Sequence, residues 1–238
     1  MVPEVAAEEV LQVPAVHGQT LAWGFALGYR SAVEYRAVIF DLGGVVLGSP
    51  LHVIRDYEAE KKIPPGFVNR VVVSTGPTGA WSRLERGELT LEEFYAVFDA
   101  DCAGAGPAFS AREMMERIAA STGPRPRMIE AIERIRAKGL RTAALTNNWR
   151  SDEARSNALE EHFDVYVESA VEGVRKPDPR IYRIVCERLS VEPDQTIFLD
   201  DIGHNLKAAR ALGMTTIKVD DPDPALVELQ ERLGFPIV

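Results

Sequence analysis

Six side chains in this 238-residue chain have the types and placement to do chemistry together: Asp41, Thr146, Asn147, Lys176, Asp200 and Asp201. Asp41 closes the apolar run Ala37-Val38-Ile39-Phe40, and Gly43-Gly44 follow one residue later. Three carboxylates, with no imidazole or thiol in the set, suit a hard cation such as Mg²⁺, which takes oxygen ligands and keeps waters. A lysine and a hydroxyl beside that cation suit phosphate oxygens. One carboxylate is then free to attack phosphorus while positive charge neutralises the equatorial oxygens. Singly, each residue has a plainer use. Thr146-Asn147-Asn148 reads as a turn, Lys176 as a solvated residue ahead of a helix, and Asp200-Asp201 as a helix cap. Their common position is what favours chemistry: each lies at the end of an apolar run or at the helix start beside one.

The elements that must carry these residues follow from hydrophobic periodicity. Apolar runs ending at Asp41, at Thr146-Asn147 (141–146) and at Asp200-Asp201 (196–199) read as buried strands, with further strands at 164–168 and 215–219. Helical spacing falls between them. The 126–138 segment carries Met128, Ile129, Ile132 and Ile135 and stops at Gly139. Asp178-Pro179 reads as the N-cap and first residue of a helix whose apolar face is Ile181, Ile184, Val185 and Leu189. A helical stretch is expected after Asn148, another over 205–213, and a last one from 224. Strands alternating with helices predict an α/β fold, a doubly wound, Rossmann-like parallel sheet with right-handed crossovers. In such a sheet all carboxyl ends share one edge, so residues far apart in sequence meet there.

One long segment breaks the pattern. Residues 49–125 lack β alternation and hold helix-like pieces at 51–62, 68–73, 90–101 and 110–122. Thr90-Leu91-Glu92-Glu93 has the form of a capping box, with Phe94, Val97 and Phe98 behind it. We read a small all-helical insert here, a core made of 35–48 and 126–238, and an extension over 1–34 outside the fold.

With 46% hydrophobic and 26% charged residues, the chain has ample material for a globular core. A net charge of −9 offers no basic face for nucleic acid. No apolar run is long enough to span a bilayer. The acids Glu4, Glu8 and Glu9 ahead of the first apolar stretch fit neither a secretory signal nor a mitochondrial presequence. Cys102 and Cys186, without a CxxC, predict no disulfide framework or zinc site, and the cytoplasm is the simplest location.

The segments FDLGGV, LTNN, RKPDP and FLDDIGHN resemble, in order, the four motifs of the haloacid dehalogenase-like (HAD) hydrolase superfamily. The resemblance covers about 36–220, with the helical insert where that family places its cap. Within the superfamily the chain is most similar to the N-terminal phosphatase domain of soluble epoxide hydrolases and to the corresponding domain of multidomain acyl-CoA dehydrogenase family proteins. The stretch Trp81-Ser82-Arg83-Leu84-Glu85-Arg86-Gly87-Glu88 adds to that similarity. The resemblance implies that Asp41 is the nucleophile that forms an aspartyl-phosphate. Thr146 and the Asn147 amide would hold phosphate, and Lys176 would bridge Asp41 and phosphate. Asp41, the Gly43 carbonyl, Asp200 and Asp201 would bind Mg²⁺, with Asn205 steadying the acidic loop. The partner implied is a small phosphorylated substrate, and a homodimer is left open.

One departure bears on the chemistry. The family's phosphatases carry a second Asp two residues after the nucleophile, as general acid and base, and here that position is Gly43. Such help is worth about 10²–10⁴-fold, so alkoxide leaving groups should suffer most, and acyl phosphates or anomeric sugar phosphates least. The sequence therefore predicts a Mg²⁺-dependent phosphatase biased toward good leaving groups. Two alternatives stand beside it: a metal-independent 2-haloacid dehalogenase, and a catalytically weak or inactive binding domain. His52 and Arg55, early in the insert, are candidates for facing the substrate, although surface polar groups are the commoner reading.

Overall fold

Ala37, Val38, Ile39 and Phe40 form β1 (Ala37–Phe40), and all four are fully buried. The computed structural model describes residues 34–105, 109–121, 123–149 and 157–237. The extension read over 1–34, apart from residue 34, lies outside them, as does most of the segment following Asn148. The other strands are β2 (Arg141–Thr146), β3 (Val165–Glu168), β4 (Thr196–Asp200) and β5 (Thr215–Lys218). All pair in parallel, in the order β3-β2-β1-β4-β5, which leaves β1 in the middle.

Eleven α-helices are described. The first five are α1 (Pro50–Glu60), α2 (Phe67–Thr75), α3 (Ala80–Glu85), α4 (Leu91–Asp101) and α5 (Ala111–Ser121). The rest are α6 (Pro126–Ala137), α7 (Asn157–Glu160), α8 (Ser169–Glu172), α9 (Pro179–Leu189), α10 (Gly203–Ala211) and α11 (Pro222–Leu233). No helix among the described residues is long and apolar enough to cross a membrane. The period-2 alternation of β1 sorts its side chains between the two faces of the sheet. Val38 and Phe40 join the cluster roofed by Met128, Ile132 and Ile135 of α6 and by Leu226 and Leu229 of α11. Ala37 and Ile39 join the cluster roofed by Tyr182 and Val185 of α9 and Leu206 of α10. Helices on both faces make the sheet doubly wound, as expected.

Local chemistry explains most boundaries. Asp178 accepts from the Arg180 N–H at 2.9 Å, and Pro179 opens α9. Both halves of the capping box form at α4: Thr90 Oγ1 accepts from the Glu93 N–H at 3.2 Å, and the Glu93 carboxylate accepts from the Thr90 N–H at 2.8 Å. Several helices differ from the sequence reading, and α8 (Ser169–Glu172) had no counterpart in it. α10 starts at Gly203, and α11 starts at Pro222 because Asp221 accepts from the Asp223 N–H at 3.1 Å. α3, with six residues, is too short to declare a hydrophobic period.

Helices α1–α5 surround an apolar cluster of their own, which includes Tyr57, Leu84, Phe94, Phe98, Met114 and Ile118. The two strands of chain that join this helical lobe to the sheet pair with each other. The Arg125 N–H donates to the Val46 carbonyl at 2.8 Å, and the Gly48 N–H donates to the Gly123 carbonyl at 3.1 Å. Glu58, 1% exposed, accepts from the Gly66 N–H at 2.6 Å and the Val68 N–H at 2.8 Å, and so caps α2, whose own N-cap is a glycine. Glu58→Ala strands two inward-facing N–H groups and should cost about 2–4 kcal/mol of unfolding free energy in urea titrations. Val73→Ser, at a position 70% exposed on α2, should stay within about 0.5 kcal/mol of wild type.

Candidate active site

Parallel register brings the sequence-predicted residues together. Phe40 is in register with Ala144 on β2 and with Leu199 on β4. One residue further, Asp41 therefore stands beside Asp200, and its N–H continues the ladder to the Leu199 carbonyl at 2.8 Å. Thr146 ends β2 on the same edge and is 5% exposed. Lys176 enters from the segment between α8 and α9. Its Nζ donates to Asp41 Oδ1 at 2.8 Å, Asp200 Oδ2 at 2.8 Å and the Leu145 carbonyl at 2.9 Å. Three acceptors satisfy the three protons of an ammonium, which is how Lys176 can be 1% exposed.

Asn147 acts on the main chain of Lys176. Its Oδ1 accepts from the Lys176 N–H at 2.8 Å, and its Nδ2 donates to the Lys176 carbonyl at 3.1 Å. Asn148, beside it, is pinned by its N–H to Ser169 Oγ at 3.0 Å and by its side-chain amide to the Glu168 carboxylate. Asp200 is completely buried. Besides Lys176, it accepts from the Ile202 N–H at 2.7 Å and from Asn205 Nδ2 at 3.1 Å to each oxygen. Asn205 thus contacts the first member of the acidic pair, Asp200. Asp201 is only half-buried.

The glycines after Asp41 differ in kind. Gly44 has φ +82, and a Cβ there would stand 2.3 Å from Asp201 Oδ2, so a side chain is excluded twice over. Gly43 has φ −64 and ψ 120, and a Cβ there would meet only Pro50, at 3.4 Å. His52 and Arg55 are exposed on α1, and among the described residues no hydrogen bond or ion pair joins them to the cluster.

The electrostatics of the cluster are those of crowded carboxylates. Burial pushes the Asp41 carboxyl up to about 8; Lys176 opposes this, while Asp200 and Asp201 add to it. Asp201 is pushed up to about 6, by burial and then by Asp200. Burial works against the Lys176 charge, but the Asp200 and Asp41 carboxylates outweigh it and hold the ammonium above its ordinary range. One oxygen from each of Asp41, Asp200 and Asp201 lies within 4.8 Å of the others. An all-oxygen, mutually repelling set of this kind fits a hard divalent cation, and the missing Cβ of Gly44 leaves room for Asp201 to join it.

One contact that matters here was not singled out from the sequence. Arg175, next to Lys176, donates to Ser82 Oγ of α3 at 2.9 Å and pairs with Glu85. That contact joins residues 93 positions apart, and no local pattern announces it.

A central parallel sheet with an acidic cluster at its carboxyl edge and an inserted helical lobe defines the HAD-like hydrolases. The family model for haloacid dehalogenase-like hydrolases matches residues 35–213, and the chain belongs to that family. Mouse acyl-CoA dehydrogenase family member 10 is 44% identical over 93% of this chain, which spans 21% of that protein. Pig bifunctional epoxide hydrolase 2 is 34% identical over 85% of the chain, which spans 40% of it. Sesquiterpene phosphatase astK of Aspergillus oryzae is 26% identical over 84% of the chain and 97% of its own length. Among solved structures, a HAD family enzyme from Bacteroides thetaiotaomicron in complex with magnesium and inorganic phosphate superposes with a TM-score of 0.56. It is 20% identical and covers 80% of this chain and 98% of its own.

The raised carboxyls would set the pH dependence of any divalent-cation binding at this cluster. A cation must displace protons from Asp201 and Asp41, which the fold holds up to about 6 and about 8. Mg²⁺ affinity, read by calorimetry or as a rise in melting temperature, should therefore strengthen as pH climbs through that window. Gly44→Ala should abolish this Mg²⁺ response, whereas Gly43→Ala should keep it.

Proposed function

We propose that this hydrolase is a Mg²⁺-dependent phosphatase of a small phosphorylated metabolite, working through an aspartyl-phosphate on Asp41. The observation that carries this reading is the Lys176 ammonium, 2.8 Å from both Asp41 and Asp200. Such a charge orients the nucleophile and is close enough to neutralise an oxyanion forming on the phosphoryl group. The similarity to a phosphatase, and the magnesium and phosphate of a structural neighbour, support it.

Asp41 Oδ2, the oxygen left over by Lys176 and the Leu42 N–H, attacks phosphorus as the bond to the leaving oxygen breaks. Water then attacks the same phosphorus, frees inorganic phosphate and restores the Asp41 carboxylate. Thr146 and the backbone N–H of Asn147 hold the phosphoryl oxygens, since the Asn147 side chain is already committed to Lys176. Asp41, the Gly43 carbonyl and Asp201 would hold the cation, with Asp200 contributing from behind them. When bound, Mg²⁺ supplies charge neutralisation for the transferring phosphoryl group. The helical lobe, 49–125, acts as a cap that excludes water.

Gly43 offers no side chain to protonate the leaving oxygen. Solvent supplies that proton, and substrates that leave as weak bases are favoured. The fold does not demand glycine there, because its φ is ordinary and a Cβ fits. The missing acid is therefore a chemical property of the site and not a packing requirement.

In a phosphate-release screen with Mg²⁺, wild type should turn over acyl and anomeric sugar phosphates, and Asp41→Asn should fall to background. Gly43→Asp should raise turnover of alkyl phosphates by about 10²-fold while changing acyl phosphates far less. Full activity in Asp41→Asn would sink the mechanism. Halide release from a 2-haloacid without Mg²⁺ would move the protein to the dehalogenase reading instead.

A further inference from the structure

The lobe touches the sheet domain at a second place, away from the paired linkers. Glu85 on α3 has 10% of its side chain exposed, and Arg175, which it pairs with, has 23%. Trp81 Nε1 donates to Glu85 Oε1 at 3.0 Å, and Arg175 donates to Ser82 Oγ at 2.9 Å. Ser82 in turn donates to the Gly76 carbonyl at 2.8 Å. Ser82 and Glu85 are three residues apart on one helix face, so together they clamp one guanidinium. Nearby, the lobe's main chain approaches the sheet domain so closely that a Cβ on Gly87 would stand 2.3 Å from the Ala170 carbonyl oxygen.

A largely buried ion pair is a poor way to gain stability, because desolvation offsets most of its attraction. It does fix geometry, and here the fixed main chain is that of the next residue, Lys176. The Lys176 N–H and carbonyl are the groups that seat the Asn147 side chain. A displacement of Arg175 therefore reaches both the ammonium beside Asp41 and the loop that carries Thr146.

We propose that Arg175 is a positioning residue: clamped by Glu85 and Ser82, it transmits the docked position of the helical lobe to the main chain that presents Lys176 and seats Asn147. The kinetic part of this inference rests on the phosphatase reading above; the structural part does not.

The test compares Arg175→Met, Glu85→Gln and the double variant, with acetyl phosphate and Mg²⁺ as the kinetic probe. Hydrogen exchange at the Lys176 amide is the second readout. Each single variant should lower kcat by about 10–100-fold, the scale of a small misplacement of reacting groups, with KM changed less than about threefold. The double variant, which leaves neither charge unpaired and so keeps the fold testable, should be no slower than the worse single one. The Lys176 amide should exchange about tenfold faster in all three. The proposal is overturned if the kcat losses multiply, if only KM moves, or if α3 amides speed up while the Lys176 amide does not. Should wild type release no phosphate from any substrate, the phosphatase reading falls, and the Lys176 amide alone decides the coupling.

Discussion

The Lys176 ammonium, sealed between Asp41, Asp200 and the Leu145 carbonyl, is the interaction on which the site depends. Parallel pairing forces three carboxylates onto one edge of the sheet, and burial makes their mutual repulsion expensive. A single buried cation that reaches two of them offsets part of that cost. Much of the surrounding structure serves its placement. Asn147 holds its main chain, Asn205 and the Ile202 N–H orient Asp200 toward it, and Phe198 lies under it, with Nζ 5.5 Å from the ring centroid. The same crowding that raises the Asp41 and Asp201 carboxyls makes an all-oxygen set that fits a divalent ion.

The turn after Asp41 shows two glycines under different constraints. Gly44 is held by geometry: its φ is left-handed, and Asp201 occupies the space a side chain would take. Gly43 is held by neither, so its lack of a side chain bears on chemistry alone. In the sequence the pair looks uniform; the difference appears only when Asp201, more than 150 residues on, folds against one of them and not the other.

The fold was legible wherever a pattern was local. The buried runs before Asp41, Thr146 and Asp200 became strands, and the caps at Thr90 and Asp178 formed as their side chains require. The starts of α10 and α11 shifted by two residues, because helix ends are decided by one or two competing hydrogen bonds. α3 went unseen because six residues carry less than two turns of period. The candidate site followed the same rule. Asp41, Thr146, Lys176 and the acidic pair stand at strand ends or beside them, which sequence can place; His52 and Arg55 offered no such position, and the structure leaves them exposed on α1.

By itself, the sequence determined the alternation of strand and helix, and hence that the polar ends of distant segments would share one edge, because parallel strands leave no other arrangement. It also determined the family, through four ordered motifs. Only the tertiary structure decided how those residues divide the work. It turned the Asn147 side chain to the Lys176 main chain and shared Asp200 among the lysine, the Ile202 N–H and Asn205. It also brought Arg175, beside the sheet, to Glu85 in the middle of the helical insert. Each of these depends on contacts between elements far apart in the chain, where no residue's neighbours in sequence carry information about its neighbours in space.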